Sequence, residues 1–155
     1  MPLLIPPAWL MMLAPAWGVA QGILNGRGGA PAFAVLSGLA FTAWDLYLDP
    51  QMAARDLWVW HTPGGYFGIP WSNYFGWWLS ATALTLLLRP QNLPVRPLLL
   101  IYALTWVLQV VGLGVFWGQP GPALAGFAGM GIFVGLALWR LRRDSGTAAG
   151  GEEKP

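Results

Sequence analysis

Five apolar runs, at residues 3–24, 30–48, 71–88, 98–117 and 123–141, leave this chain few folds to choose from. Each approaches the roughly 20 residues that a helix needs to cross the hydrocarbon core of a bilayer. Periodicity says little in runs this apolar. Length decides, because a membrane span must satisfy its own backbone hydrogen bonds. Composition agrees: hydrophobic residues make up 56% of the chain and charged ones 9%, against roughly 25% charged in an ordinary soluble domain. Eleven Trp residues suit membrane interfaces, where an apolar ring and a polar N–H are both satisfied. In an apolar chain, 21 Gly and 14 Pro fit close helix packing and broken helices. The expected fold is an all-α polytopic transmembrane bundle of about five spans, with an aromatic-rich interfacial segment between the second and third. Residues 1–143 form the transmembrane domain and 144–155 a disordered polar, Gly-containing tail.

The first run has a competing reading as a signal peptide, with Ala14 and Ala16 mimicking a cleavage site. No Lys or Arg precedes Arg27, so the basic n-region is missing. Pro6, Pro7 and Pro15 are expected to bend this span. The connectors are 21–29, 50–70, 89–97 and 118–122. Three are short and punctuated by Gly or Pro. The connector at 50–70 is long, aromatic and polar.

In a five-span arrangement Arg27, Arg89, Arg96, Arg140, Arg142 and Arg143 fall on one side and Arg55 on the other. Basic residues near span ends mark the cytoplasmic side. The carboxyl terminus is therefore expected in the cytoplasm, in a bacterial inner membrane. A net charge of +2, with no basic patch interleaved with aromatics, argues against nucleic acid as a partner. The absence of Cys excludes disulfides, Cys-based zinc sites and thiol nucleophiles.

Polar groups at membrane depth are costly, so each one is a functional candidate. They concentrate in AWDLYLDPQMAARDLWVWHTPGGYFGIPWSNYFGWW, residues 43–78. Asp45 and Asp49 are four apart and share a face if helix continues through both. Two close carboxylates in a low-dielectric site resist ionising together, so one keeps its proton. That proton makes a general acid, and the partner carboxylate can act as a base on water. A structural reading stays open beside this one: Asp49 precedes Pro50 and would suit the N-cap of a short helix starting there. Arg55 and Asp56 read as solvated interfacial charges. His61, the only His, rules out a bis-His haem, leaving ligation of a chlorin or a headgroup contact. Gly64, Gly65, Gly68 and Pro70 shape a non-helical stretch. Asn73 offers an amide for water, for a carboxylate or for a helix-to-helix hydrogen bond. Trp58, Trp60, Tyr66, Phe67, Trp71, Tyr74, Trp77 and Trp78 surround these groups, as an interfacial belt or as a wall for a cationic intermediate. Gly131 and Gly135 form a GxxxG, read as helix packing.

Residues 43–78 closely resemble the signature of the carotenoid biosynthesis membrane family that includes the carotenoid 1,2-hydratases. The resemblance rests on Asp45, Asp49 and Pro50, Trp58 and Trp60, the run from Gly65 through Tyr66, Phe67, Gly68 and Ile69 to Pro70, then Asn73, Gly76 and Trp77. The opening MPLLIPPAWLMMLAPAW also resembles a family segment, one that usually falls mid-chain behind further helices. The chain thus looks like the later part of a family member, with the earlier helices absent or supplied by a partner chain or a second copy.

The resemblance implies a lyase that hydrates a terminal isoprenoid double bond of a carotenoid within the bilayer. Protonation at the less substituted carbon leaves a tertiary cation, which water attacks. No cofactor or metal is required. The implied catalytic residues are Asp45 as acid, Asp49 as its partner and Asn73 as an orienter. Trp58, Trp60, Tyr66, Phe67 and Trp77 are the implied substrate contacts. A small membrane lycopene cyclase, which traps the same cation with a neighbouring alkene, is the nearest rival. Those cyclases carry carboxylates where this chain has Trp71, Ser72 and Asn73. A non-catalytic carotenoid-binding or assembly subunit is the rival from another class.

Overall fold

The computed structural model describes residues 5–149. Its five helices are α1 (Ile5–Leu24), α2 (Gly29–Ala53), α3 (Trp71–Leu88), α4 (Val95–Val111) and α5 (Pro120–Ala149). A π-helical turn, Gly112–Phe116, extends α4. Residues 5–149 contain no named strand, and the bundle is all-α as expected. Four helices (α1, α2, α4 with its π turn, and α5) are long and apolar enough to cross a membrane, as an integral membrane protein requires. Helix α3 is the exception to the expected five. Its 18 residues reach about 27 Å, but Ser72, Asn73, Ser80, Thr82 and Thr85 dilute its leucines. It lies along α2.

The turns follow from local chemistry. Helix α1 stops where Asn25 and Gly26 take left-handed backbone, and α3 stops at Arg89, also left-handed, followed by Pro90. Helix α2 is central, packed against α1, α3 and α5, while α4 lies against α1 and α5. Helix α1 is part of the core: Met12, Leu13, Ala16, Val19 and Ala20 are buried. Asn25 donates to Asp144 across 2.8 Å, tying the end of α1 to α5. Helix α5 continues past Arg143 to Ala149, so the first part of the expected disordered tail is helical. The rest of that tail, 150–155, lies outside the described residues, as do residues 1–4, which include the first two positions of the first run.

Interhelical glycines admit neighbouring side chains. A methyl on Gly126 would meet the Tyr47 ring at 2.5–2.6 Å, and one on Gly129 would meet Leu46 at 2.7 Å. The GxxxG divides. Gly131 packs against Trp106, 3.0 Å from where its Cβ would stand, whereas Gly135 faces open space. The expectation of helix packing therefore holds for Gly131 alone.

Candidate active site

Helix α2 runs unbroken through Asp45, Asp49 and Pro50 to Ala53. The alternative of Asp49 capping a helix that begins at Pro50 is thereby overturned. A proline inside a helix withholds the N–H that would bond the carbonyl four residues back, here that of Leu46. The Tyr66 hydroxyl donates to that carbonyl at 2.9 Å. The helix continues past Pro50 because a side chain from the following loop satisfies the freed acceptor. Burial, reinforced by the charge of Asp45, pushes the Tyr66 hydroxyl above its ordinary value and keeps it a donor.

That loop is held by two hydrogen bonds, Gly64 N–H to Gly68 C=O at 3.0 Å and Ile69 N–H to Tyr66 C=O at 2.8 Å. Phe67 and Gly68 both adopt positive φ, 46° and 86°. A side chain on Gly64 would collide with the Ile69 carbonyl. The tight turn buries Ile69 completely and delivers Pro70, from which α3 starts. Gly38 lets α3 approach: a Cβ there would stand 2.9 Å from the Trp78 carbonyl oxygen.

Asp45 is fully buried and Asp49 is 1% exposed. With helix continuous between them they share one face, as the four-residue spacing requires. The Asn73 amide nitrogen, from the first turn of α3, donates to Asp45 Oδ2 at 3.2 Å and to Asp49 Oδ2. One NH₂ thus uses both hydrogens to clamp two carboxylates. Buried carboxyl groups without such donors cost several kcal/mol. Among the described residues, Asp45 Oδ1 has no hydrogen-bond partner, and neither do the buried indole N–H groups of Trp58 and Trp60 or the Tyr74 hydroxyl. Unmade hydrogen bonds of this kind are expected where a water or reactant completes the site.

Asp49, Asn73, Trp58, Val59, Trp60 and Trp77 line one pocket of about 210 Å³. Its aromatic wall continues inward. Trp77 stacks on Phe41 with centroids 5.5 Å apart and meets Trp9 at 4.8 Å and Trp44 at 6.2 Å.

Of the residues singled out in the sequence, Asp49, Asn73, Trp58, Trp60 and Trp77 meet at this pocket, with Asp45 behind it through Asn73. Tyr66 and Phe67 do not line it. Tyr66 holds the Leu46 carbonyl. Phe67 is 53% exposed and borders a separate cleft with Pro50, Ala53 and Gly118. His61 is exposed. Arg55, also exposed, lies over the Trp117 ring at 5.0 Å. Trp9, Phe41 and Trp44 escaped sequence reasoning because they sit inside apolar runs, where nothing distinguishes them from lipid-facing aromatics. Tyr74 was visible only as one aromatic among many.

This geometry can be set beside known proteins. The family model described as carotenoid biosynthesis protein matches residues 1–134. The chain belongs to that family. A bisanhydrobacterioruberin hydratase of Haloarcula japonica is 32% identical over 133 residues, covering 79% of this chain and 43% of the relative. This family member thus spans less than half the length of that relative. No solved structure matches the chain.

Proposed function

We propose that this protein hydrates a terminal isoprenoid double bond of a carotenoid, as a carotenoid 1,2-hydratase-like lyase working inside the membrane. The observation that carries the reading is the Asn73 clamp on Asp45 and Asp49 at an aromatic-walled pocket. The named activity of the Haloarcula japonica relative supports it.

One carboxyl group gives its proton to the less substituted alkene carbon, forming a C–H bond and leaving a tertiary cation. The faces of Trp58, Trp60 and Trp77 stabilise that cation. Water, hydrogen-bonded at the orphaned polar atoms beside the pocket, adds through oxygen to the cationic carbon. Its surplus proton passes to the other carboxylate. One π bond is consumed, one C–H and one C–O bond form, and the pair ends with the proton count it began with. Asn73 holds the two carboxyl groups close enough to share that work.

The basic ends of the helices, with Arg27, Arg89, Arg96 and Arg140, face the cytoplasm in this reading. The carboxyl terminus is then cytoplasmic and the aspartate site lies towards the outer face of a bacterial inner membrane.

The test is the mass of pigment in cells that accumulate a linear carotene and express this chain. A new pigment heavier by one water is the expected product. An isomer of unchanged mass would replace hydration with cyclisation. Unchanged pigment, with the protein present in the membrane, would overturn autonomous catalysis. Pigment co-purifying with such an inactive chain would then identify a carotenoid-binding subunit.

A further inference from the structure

At the end of the bundle opposite the aspartates, the end of α1, the start of α2 and the end of α3 enclose a cleft of about 290 Å³. Arg27 and Arg89 both border it, as do Gln21 and Gln91. Leu24 and Phe33 supply an apolar wall. The cleft does not touch the carboxylate site. From Gly29 to Asp49 helix α2 rises roughly 30 Å.

Two arginines turned towards one cleft repel each other unless an anion lies between them. Among the described residues no carboxylate forms an ion pair with either. Asp144, on α5, accepts a hydrogen bond from Asn25. Arg89 spends only its Nε, on the Leu86 carbonyl at 3.3 Å, which leaves its terminal nitrogens available. The chain path fixes this arrangement. Arg89 sits in left-handed backbone, its N–H bonded to the Thr85 carbonyl at 3.0 Å, and Pro90, which follows it, also borders the cleft. Guanidinium groups bind phosphate oxygens in a bidentate fork, and amide donors add to the same recognition. The wall is apolar, and Leu86, which also borders the cleft, is 42% exposed. A ligand that offers a phosphate to the arginines and a hydrocarbon chain to Leu24, Phe33 and Leu86 matches both surfaces.

We propose that this cleft binds the phosphate of an acidic membrane phospholipid, held between Arg27 and Arg89. Gln21 and Gln91 hydrogen-bond the headgroup, and an acyl chain lies along Leu86. The site is separate from the carotenoid chemistry and does not depend on it.

Native mass spectrometry of the full chain in detergent tests this directly. The probes are dioleoylphosphatidylglycerol and dioleoylphosphatidylcholine, which share acyl chains and differ in net charge. The chain is expected to retain one phosphatidylglycerol at concentrations where phosphatidylcholine is lost. Each arginine near a membrane phosphate contributes roughly fivefold in affinity. R27Q/R89Q should therefore weaken phosphatidylglycerol by about 25-fold, while R27K/R89K keeps most of the binding and R96Q, at the same end but outside the cleft, changes it by less than about twofold. If the double Gln variant does not fold, R27Q and R89Q singly carry the test, each expected to lose about fivefold. Equal retention of the two lipids, or an equal loss in R96Q, would overturn the proposal. So would displacement of phosphatidylglycerol by equimolar inorganic phosphate, which would make the cleft a site for free phosphate.

Discussion

The two ends of this bundle handle charge in opposite ways. At one end Asp45 and Asp49 are buried, and a single amide from the next helix binds both. At the other, Arg27 and Arg89 are exposed and border an open cleft. Buried charge is tolerable only with specific partners, so the first end demands a defined helix register. Exposed charge near a membrane surface demands none. It acts through orientation and through whatever anion arrives. The first end is therefore sensitive to single atoms and the second to the number of charges.

The sharpest way to break this contrast is to neutralise the buried pair. D45N and D49N should each reduce the proposed hydration by about a hundredfold or more, measured as pigment mass per unit of membrane protein. Pigment should remain bound, because the aromatic wall is intact. Activity surviving in both variants would remove the carboxylates from the chemistry.

Next comes the clamp. N73A leaves two buried carboxyl groups without their shared donor and should lower stability by about 1–3 kcal/mol, read from melting in detergent. N73D places a third acidic group beside them and should melt lower still. Equal melting of N73A and the parent would mean that another donor replaces the amide.

A smaller effect tests why α2 crosses Pro50. Y66F strands the Leu46 carbonyl and should cost about 1 kcal/mol. P50A returns a backbone N–H to that carbonyl, so P50A/Y66F should melt above Y66F alone. A double variant no better than Y66F would show that the hydroxyl acts elsewhere.

The smallest effect separates the two glycines of the GxxxG. G135A meets open space and should gain up to about 1 kcal/mol of helix propensity. G131A pushes on Trp106, whose indole N–H bonds the Phe127 carbonyl at 2.9 Å, and should melt below G135A. The reverse order would place the close contact at Gly135.

The legibility of these features in the sequence was uneven, for physical reasons. The i, i+4 spacing placed Asp45 and Asp49 on one face, yet Pro50 made the helix itself doubtful. The partner that keeps it helical, Tyr66, lies 20 residues on. Asn73 was visible as a polar residue at a span entrance, without any sign that it would reach both carboxylates. Phe67 and Trp58 looked alike as loop aromatics. The turn from Gly64 to Ile69 sends Phe67 towards α5, where its ring lies 2.6 Å from the position a Gly121 Cβ would take. Trp58 instead lines the carboxylate pocket.

The sequence by itself determined the solvent and the class. Long apolar runs must be helices in a bilayer, because no water is there to satisfy their backbone, and the positions of the arginines followed from the helix ends. Family membership was also legible, through the spacing of Asp45, Asp49, Trp58, Trp60 and Asn73. Only the tertiary structure decided that α2 passes through Pro50 and that one amide joins two aspartates. It also decided that Trp77 backs onto Trp9, Phe41 and Trp44, and that two arginines 62 positions apart, Arg27 and Arg89, face one cleft. These are contacts between helices, and local sequence rules cannot specify which faces meet when nearly every face is apolar.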